Sequence, residues 1–228
     1  MRTPLITSIT CLLVSAIVAP GGSGAQASPN PRVGLDHVII RTGILRQGIA
    51  EFARVTGVTP SFGGKHPGRG TQNALVSLGQ GRYLELLAPV VDSSAAGPLL
   101  VEGWALHTDQ LDSLADFLRA HGQKASAASP GSRRLPNGSV LEWTTAGMLD
   151  SGYIVAPFFI QWGRGSAHPS STSPSGCTLE RFTVTDTPPY RTIDLLETIA
   201  VDVSTRRGSR PGFLLVLLCP KGRVTFGS

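Results

Sequence analysis

Apolar positions along this chain change their period in a regular way. Residues 34–41 read as a short strand. Leu45, Ile49, Phe52 and Ala53 then recur at the spacing of one helix face, and Gly57 stops that helix. A Gly- and Pro-rich loop at 63–70 leads into a strand at 71–78, Gln80-Gly81 makes a hairpin turn, and 83–88 is the partner strand. The pattern restarts at Trp104. Leu111, Leu114, Ala115 and Leu118 form a second helical stripe ended by Gly122. A Ser-, Ala- and Pro-rich loop follows, Pro136-Asn137-Gly138 turns into a strand at 140–145, and 157–163 is a last strand. A third round, after a loop at 165–176, predicts a strand at 177–185, a helix near 190–200, and strands near 201–205, 212–218 and 223–227.

The rounds open alike. Leu35-Asp36-His37-Val38-Ile39-Ile40-Arg41-Thr42 matches Leu179-Glu180-Arg181-Phe182-Thr183-Val184-Thr185-Asp186 in residue type at most positions, and Trp104-Ala105-Leu106-His107-Thr108-Asp109 is a looser copy. Repeats fix architecture before single residues do. They predict an α+β protein in which βαβββ modules form a curved mixed sheet around a cup, with helices on the outer face. The expected organisation is paired modules over 34–164, a loop at 165–176, and a third, partial βαβββ-like module at 177–228 packed on the same domain.

The first 27 residues have a different character. Arg2 precedes an apolar run from Leu5 to Ala19, and Ala25-Gln26-Ala27 is a small-x-small cleavage site. This is the pattern of a secretory signal peptide, followed by a linker at 28–33. A secreted or periplasmic location is expected, with no membrane span after cleavage. Cys177 and Cys219 then remain, either as a disulfide or as two buried thiols. The net charge is +5, but Arg133-Arg134 and Arg206-Arg207 are isolated pairs without interleaved aromatics, so the chain does not read as nucleic-acid binding.

Strand alternation locates the chemistry. Val38, Ile40, Ala74, Val76, Leu84 and Leu86 must pack under the helix. The opposite face then carries His37, Ile39, Arg41, Thr71, Asn73, Ser77, Tyr83 and Glu85, a polar set for a cup interior. His37 and Glu85 can hold a divalent metal, act as a base and its orienter, or simply satisfy each other. A metal needs a third ligand. Aligning the repeats puts Gly103 at the His37 position and Gln161 at the Glu85 position, so His107 is the substitute ligand, or Glu142 if the strand count slips. The loop with His66, Arg69, Thr71 and Asn73 can carry backbone N–H groups and a guanidinium to an anion, or be an ordinary turn. Trp162 and His168 read as loop packing. There is no nucleophile elbow, phosphate loop or dinucleotide fingerprint.

Taken together, Leu35-Asp36-His37-Val38-Ile39-Ile40, Gly63-Gly64 with His66-Pro67-Gly68 and Gly70-Thr71, Gly81-Arg82-Tyr83-Leu84-Glu85-Leu86-Leu87, Pro157-Phe158-Phe159-Ile160 and His168-Pro169 resemble a glyoxalase-like domain of the vicinal oxygen chelate superfamily. The resemblance implies paired βαβββ modules around a cup that, in the wider superfamily, holds a divalent metal. His37 and Glu85 match that superfamily's first-module ligand positions; the second-module positions do not match. Two functions follow as expectations. One is a metal-assisted lyase, isomerase or oxygenase acting on a small oxygen-rich molecule. Its metal (Zn, Ni, Fe or Mn) would sit on His37, Glu85 and His107, with His37 and Glu85 catalytic. Arg41, His66, Arg69, Thr71, Asn73, Tyr83 and Gln161 would bind substrate. The other is a non-catalytic small-molecule binder with the same cup. A homodimer is compatible with either.

Overall fold

The computed structural model describes residues 32–66, 68–92, 95, 97–135, 138–150 and 152–228. The expected signal peptide lies outside them, as does most of the turn at 136–138.

Three βαβββ units follow one another. The first is β1 (Gly34–Arg41), α1 (Leu45–Thr56), β2 (Ser61–His66), β3 (Thr71–Gly79) and β4 (Arg82–Pro89). The second is β5 (Leu100–His107), α2 (Leu111–Ala120), β6 (Ser129–Arg134), β7 (Val140–Ala146) and β8 (Phe158–Trp162). A short α3 (Pro169–Thr172) precedes the third, which is β9 (Thr178–Asp186), α4 (Arg191–Thr198), β10 (Ser204–Arg207), β11 (Gly212–Cys219) and β12 (Gly222–Gly227). The α1 stripe forms as its spacing predicts, and Gly57 closes the helix with a left-handed backbone, donating its N–H to Ala53 O. Both β2 and β6 fall where the sequence reads as loop. They carry glycines, prolines and polar residues instead of apolar alternation, so nothing local announces them.

The first two units share one eight-stranded sheet in the order β2-β3-β4-β1-β5-β8-β7-β6. The order is palindromic about the β1–β5 seam, so the units are related as two halves. The sheet curls until β2 approaches β6. The third unit keeps the chain order but forms its own sheet, β10-β9-β11-β12, in which β9 pairs with its neighbours β10 and β11. In the first unit the opening strand instead pairs with the last strand of its unit.

This second sheet lies on the helix side of the large one. Phe52 of α1 stacks on Phe226 of β12 at 5.7 Å, and Trp104 of β5 meets Phe182 of β9 at 5.4 Å. The buried apolar residues of all three units form one continuous core. Burying a side chain such as Phe52 contributes about 1.5–3 kcal/mol. A disulfide joins Cys177 to Cys219, tying the entry of β9 to the end of β11. No helix among the described residues is long and apolar enough to cross a membrane.

Candidate functional site

The concave face of the large sheet encloses a cavity of about 70 Å³. Its polar lining is His37, His66, Arg69, Asn73, Glu85 and Arg133; Tyr83, Trp143, Phe158 and Trp162 supply flat walls.

Asp36 and His37 are neighbours in sequence that meet through their side chains. A register shift against β5 makes Asp36 the extra residue of a bulge, which re-aims its side chain. The Asp36 carboxylate is fully buried and takes three donors. Oδ1 accepts from His37 Nδ1 at 2.6 Å, and Oδ2 accepts from Trp162 Nε1 at 3.0 Å and His168 Nε2 at 3.2 Å. His168 is oriented by Ser170, whose backbone N–H donates to Nδ1. That leaves the Nε2 proton for Asp36. Burial pushes the Asp36 carboxyl upward. The hydrogen bonds from His168 and His37, the nearby charge of His37 and the Trp162 N–H outweigh it, and the net pKa lies well below the usual carboxylate range. The His37 ring stacks on Tyr83 at 4.5 Å and turns Nε2 toward Glu85 Oε2, 3.6 Å away. Burial raises the Tyr83 hydroxyl's pKa, and the charges of Asp36 and Glu85 raise it further, against the pull of Arg133.

Asn73 organises the opposite wall. Arg133 Nη1 donates to Asn73 Oδ1 at 2.6 Å. A guanidinium is only a donor, so the amide must turn its NH2 the other way. Nδ2 then donates to Glu85 Oε1 at 2.6 Å and to His66 Nε2 at 3.2 Å. His66 therefore keeps its proton on Nδ1, which reaches Thr71 Oγ1 at 2.9 Å. Burial holds the His66 pKa below its ordinary value, as do the charges of Arg133, Arg69 and His37, against the opposing pull of Glu85. Gly63 makes this wall possible: a Cβ there would stand 2.5 Å from Asn73 Oδ1 and 2.9 Å from Arg133 Nη1.

His37, Glu85, His66, Arg69, Asn73 and Tyr83 therefore share one cavity, and Thr71 serves it indirectly by holding His66. Three expected site residues lie elsewhere. Arg41 stands four residues beyond His37, about 13 Å along the strand, exposed and 3.4 Å from Glu102. His107 is exposed and pairs with Gly34, its ring lying against that glycine, well before His37 on β1. Gln161 faces the helix side, where Oε1 accepts from Leu111 N and caps α2. The cavity face of β8 instead presents Phe158, Ile160 and Trp162. Asp36, Arg133 and Trp143 belong to the site without a local sequence signal, because each enters through strand pairing. Trp162 and His168 are not loop packing alone: both hydrogen-bond Asp36. Bulge, register and seam carry these assignments, and none is local.

The donor set does not fit a divalent metal. His37 Nε2 and Glu85 Oε2 face each other, but the second unit supplies only apolar side chains at β8. Asn73 Nδ2 occupies both His66 Nε2 and Glu85 Oε1. His66 Nε2 also comes within 3.8 Å of Glu85 Oε1, but with the Asn73 amide on both atoms no group of three His, Cys, Asp or Glu among the described residues is arranged to hold a metal ion.

Residues 35–199 match the sequence model described as a glyoxalase-like domain. No curated protein matches the chain. Among solved structures it is similar to a hypothetical protein from Staphylococcus aureus, with a TM-score of 0.57 and 17% identity over 86% of this chain and 85% of that one. It is more distantly similar to methylmalonyl-CoA epimerase from Mycobacterium tuberculosis (TM-score 0.41, 20% identity, 57% of this chain and 86% of that chain). A Streptomyces coelicolor methylmalonyl-CoA epimerase variant in complex with 2-nitronate-propionyl-CoA is comparable (TM-score 0.43, 19% identity, 61% and 99%). At these identities the likeness concerns the fold alone. The family match spans both halves of the large sheet and reaches into the third unit, and on it the chain belongs to the glyoxalase-like domain family.

Proposed function

We propose that this protein is a proton-transfer enzyme of the lyase or isomerase type, acting on a small oxygen-rich molecule in the cavity and working outside the cytosol. One observation carries the reading: the His37 ring is held by Asp36 on one side and faces Glu85 across 3.6 Å on the other. An imidazole and a carboxyl so placed form an acid–base pair. A C–H beside a carbonyl, placed against the pair from the cavity side and within reach of both groups, would give its proton to one. The electron pair would pass into the carbonyl to make an enolate, and a proton would return from the other. The reaction is then an isomerisation with no net redox change. Asp36 keeps the imidazole oriented, and Arg133 and Arg69 supply positive charge toward which the enolate oxygen can develop. The donor set offers no support for a metal-assisted version. The Cys177–Cys219 disulfide supports an oxidising compartment.

Hydrogen–deuterium exchange tests this. Small α-oxo and α-hydroxy carbonyl compounds are incubated in D2O with the protein and followed by NMR. Wild type should accelerate C–H exchange for at least one compound, with or without chelator. His37→Gln and Glu85→Gln should each lower that rate by about 10²-fold or more. Exchange at the wild-type rate in both variants would remove the proposal.

A further inference from the structure

We propose that the natural ligand of the cavity is a small carboxylate with a flat, apolar or unsaturated body, its charged end paired with Arg133. The inference rests on the cavity being a ligand site and adds the class of ligand.

Arg133 is the anomaly. Its residue is only 4% exposed, and buried arginine is normally paired. Among the described residues no carboxylate stands within salt-bridge distance of it. Among the described residues its guanidinium has one hydrogen-bond partner, the neutral amide of Asn73, and Nε is buried with none. A buried donor without an acceptor is costly, and a buried charge without a counter-charge more so. Burial lowers the Arg133 pKa, against the pull of Tyr83 and Glu85, but a guanidinium stays charged through the physiological range.

The nearby carboxylates do not contact this guanidinium. Asp36 already accepts from three donors, and Glu85 acts on Arg133 only at a distance and through the Asn73 amide. Arg69 adds a second, exposed cation at the lining. The unmet capacity of the cavity is therefore for an anion. A carboxylate suits the planar guanidinium, which binds its two oxygens side by side.

Shape narrows the ligand further. Trp143 and Trp162 meet edge to face at 6.0 Å, and Trp143 lies where a Cβ on Gly131 would collide with its indole. Tyr83 and Phe158 flank His37 at 4.5 and 5.5 Å. At about 70 Å³ the cavity holds only a handful of water-sized positions. That is room for a compact planar body at the polar end of the cavity.

Titration calorimetry of the full disulfide-bonded chain, paralleled by tryptophan fluorescence, provides the test. The probes are benzoate, its neutral isostere benzamide, and inorganic phosphate. Wild type should bind benzoate saturably, at least tenfold tighter than benzamide or phosphate, and quench fluorescence. Arg133→Met should lose at least tenfold for benzoate, Arg133→Lys less, and Arg206→Met on the exposed β10 nothing. The benzoate–benzamide comparison needs no variant, so misfolding of Arg133→Met would not obscure it. Equal binding of benzamide, preference for phosphate, or no benzoate binding would overturn the proposal. Benzoate binding without any deuterium exchange would retain the carboxylate site and remove the proton-transfer reading alone.

Discussion

Arg133 on β6 donates to Asn73 on β3 at 2.6 Å, across 60 residues of sequence and over the edge strand β2 that separates them in the curled sheet. This one hydrogen bond joins the two halves of the cup at its closing seam. It also fixes the Asn73 amide, and through it the proton on His66 and one oxygen of Glu85.

Truncating that amide should therefore cost more than one hydrogen bond. Asn73→Ala leaves Arg133 Nη1 and Glu85 Oε1 buried without their partner. Denaturant unfolding should show a loss of about 2–4 kcal/mol, because each buried group left unmatched costs about 1–3 kcal/mol. A change under 0.5 kcal/mol would mean that water or relaxation replaces the amide.

Acid should destabilise the fold in a way that names its source. The folded Asp36 pKa is depressed relative to the unfolded chain. Its stabilisation is fully present above the unfolded value, about 3.9, and is lost as pH falls from there toward the lower folded value. One such group contributes a slope of up to about 1.4 kcal/mol per pH unit. Asp36→Asn, followed by urea titrations between pH 2 and pH 5, should flatten the acid limb. His66 is also depressed, so its contribution is present above about pH 6.5 and fades as pH falls through that value. His66→Gln should flatten this separate, milder limb. Parallel curves for variants and wild type would refute both assignments.

The second sheet, that of the third unit, should depend on its cross-link. Cys177 and Cys219 lie 42 residues apart, and closing a loop of that length restricts the unfolded chain by about 4 kcal/mol. The double variant Cys177→Ser/Cys219→Ser should lose stability of that order in guanidinium titrations. Reduction of the wild type should reproduce the loss, and indifference to reduction would show that the core alone holds the unit.

Some of this protein is legible residue by residue. The helices α1 and α2 appear as apolar stripes, because a 3.6-residue period needs no knowledge of what the stripe meets. The openings of the three units match, so the repeated βαβββ order can be read directly. The polar face of the first unit follows from alternation, and it placed His37, Asn73, Tyr83 and Glu85 on the side that encloses the cavity.

What remained was decided by contacts between distant strands. Alternation says which residues share a face, not how far along the strand the cavity sits, so Arg41 and His107 fall at exposed strand ends. A shift of one residue swaps faces, which turns Gln161 to the helix side and gives its expected place to Ile160 and Trp162. The bulge that joins Asp36 to His37 exists only in the pairing of β1 with β5. Arg133 enters the site only because the sheet curls far enough for β6 to reach β2. A sequence determines periods and repeats through local sterics and burial, whereas registers and closures are set by the summed packing of strands far apart in the chain.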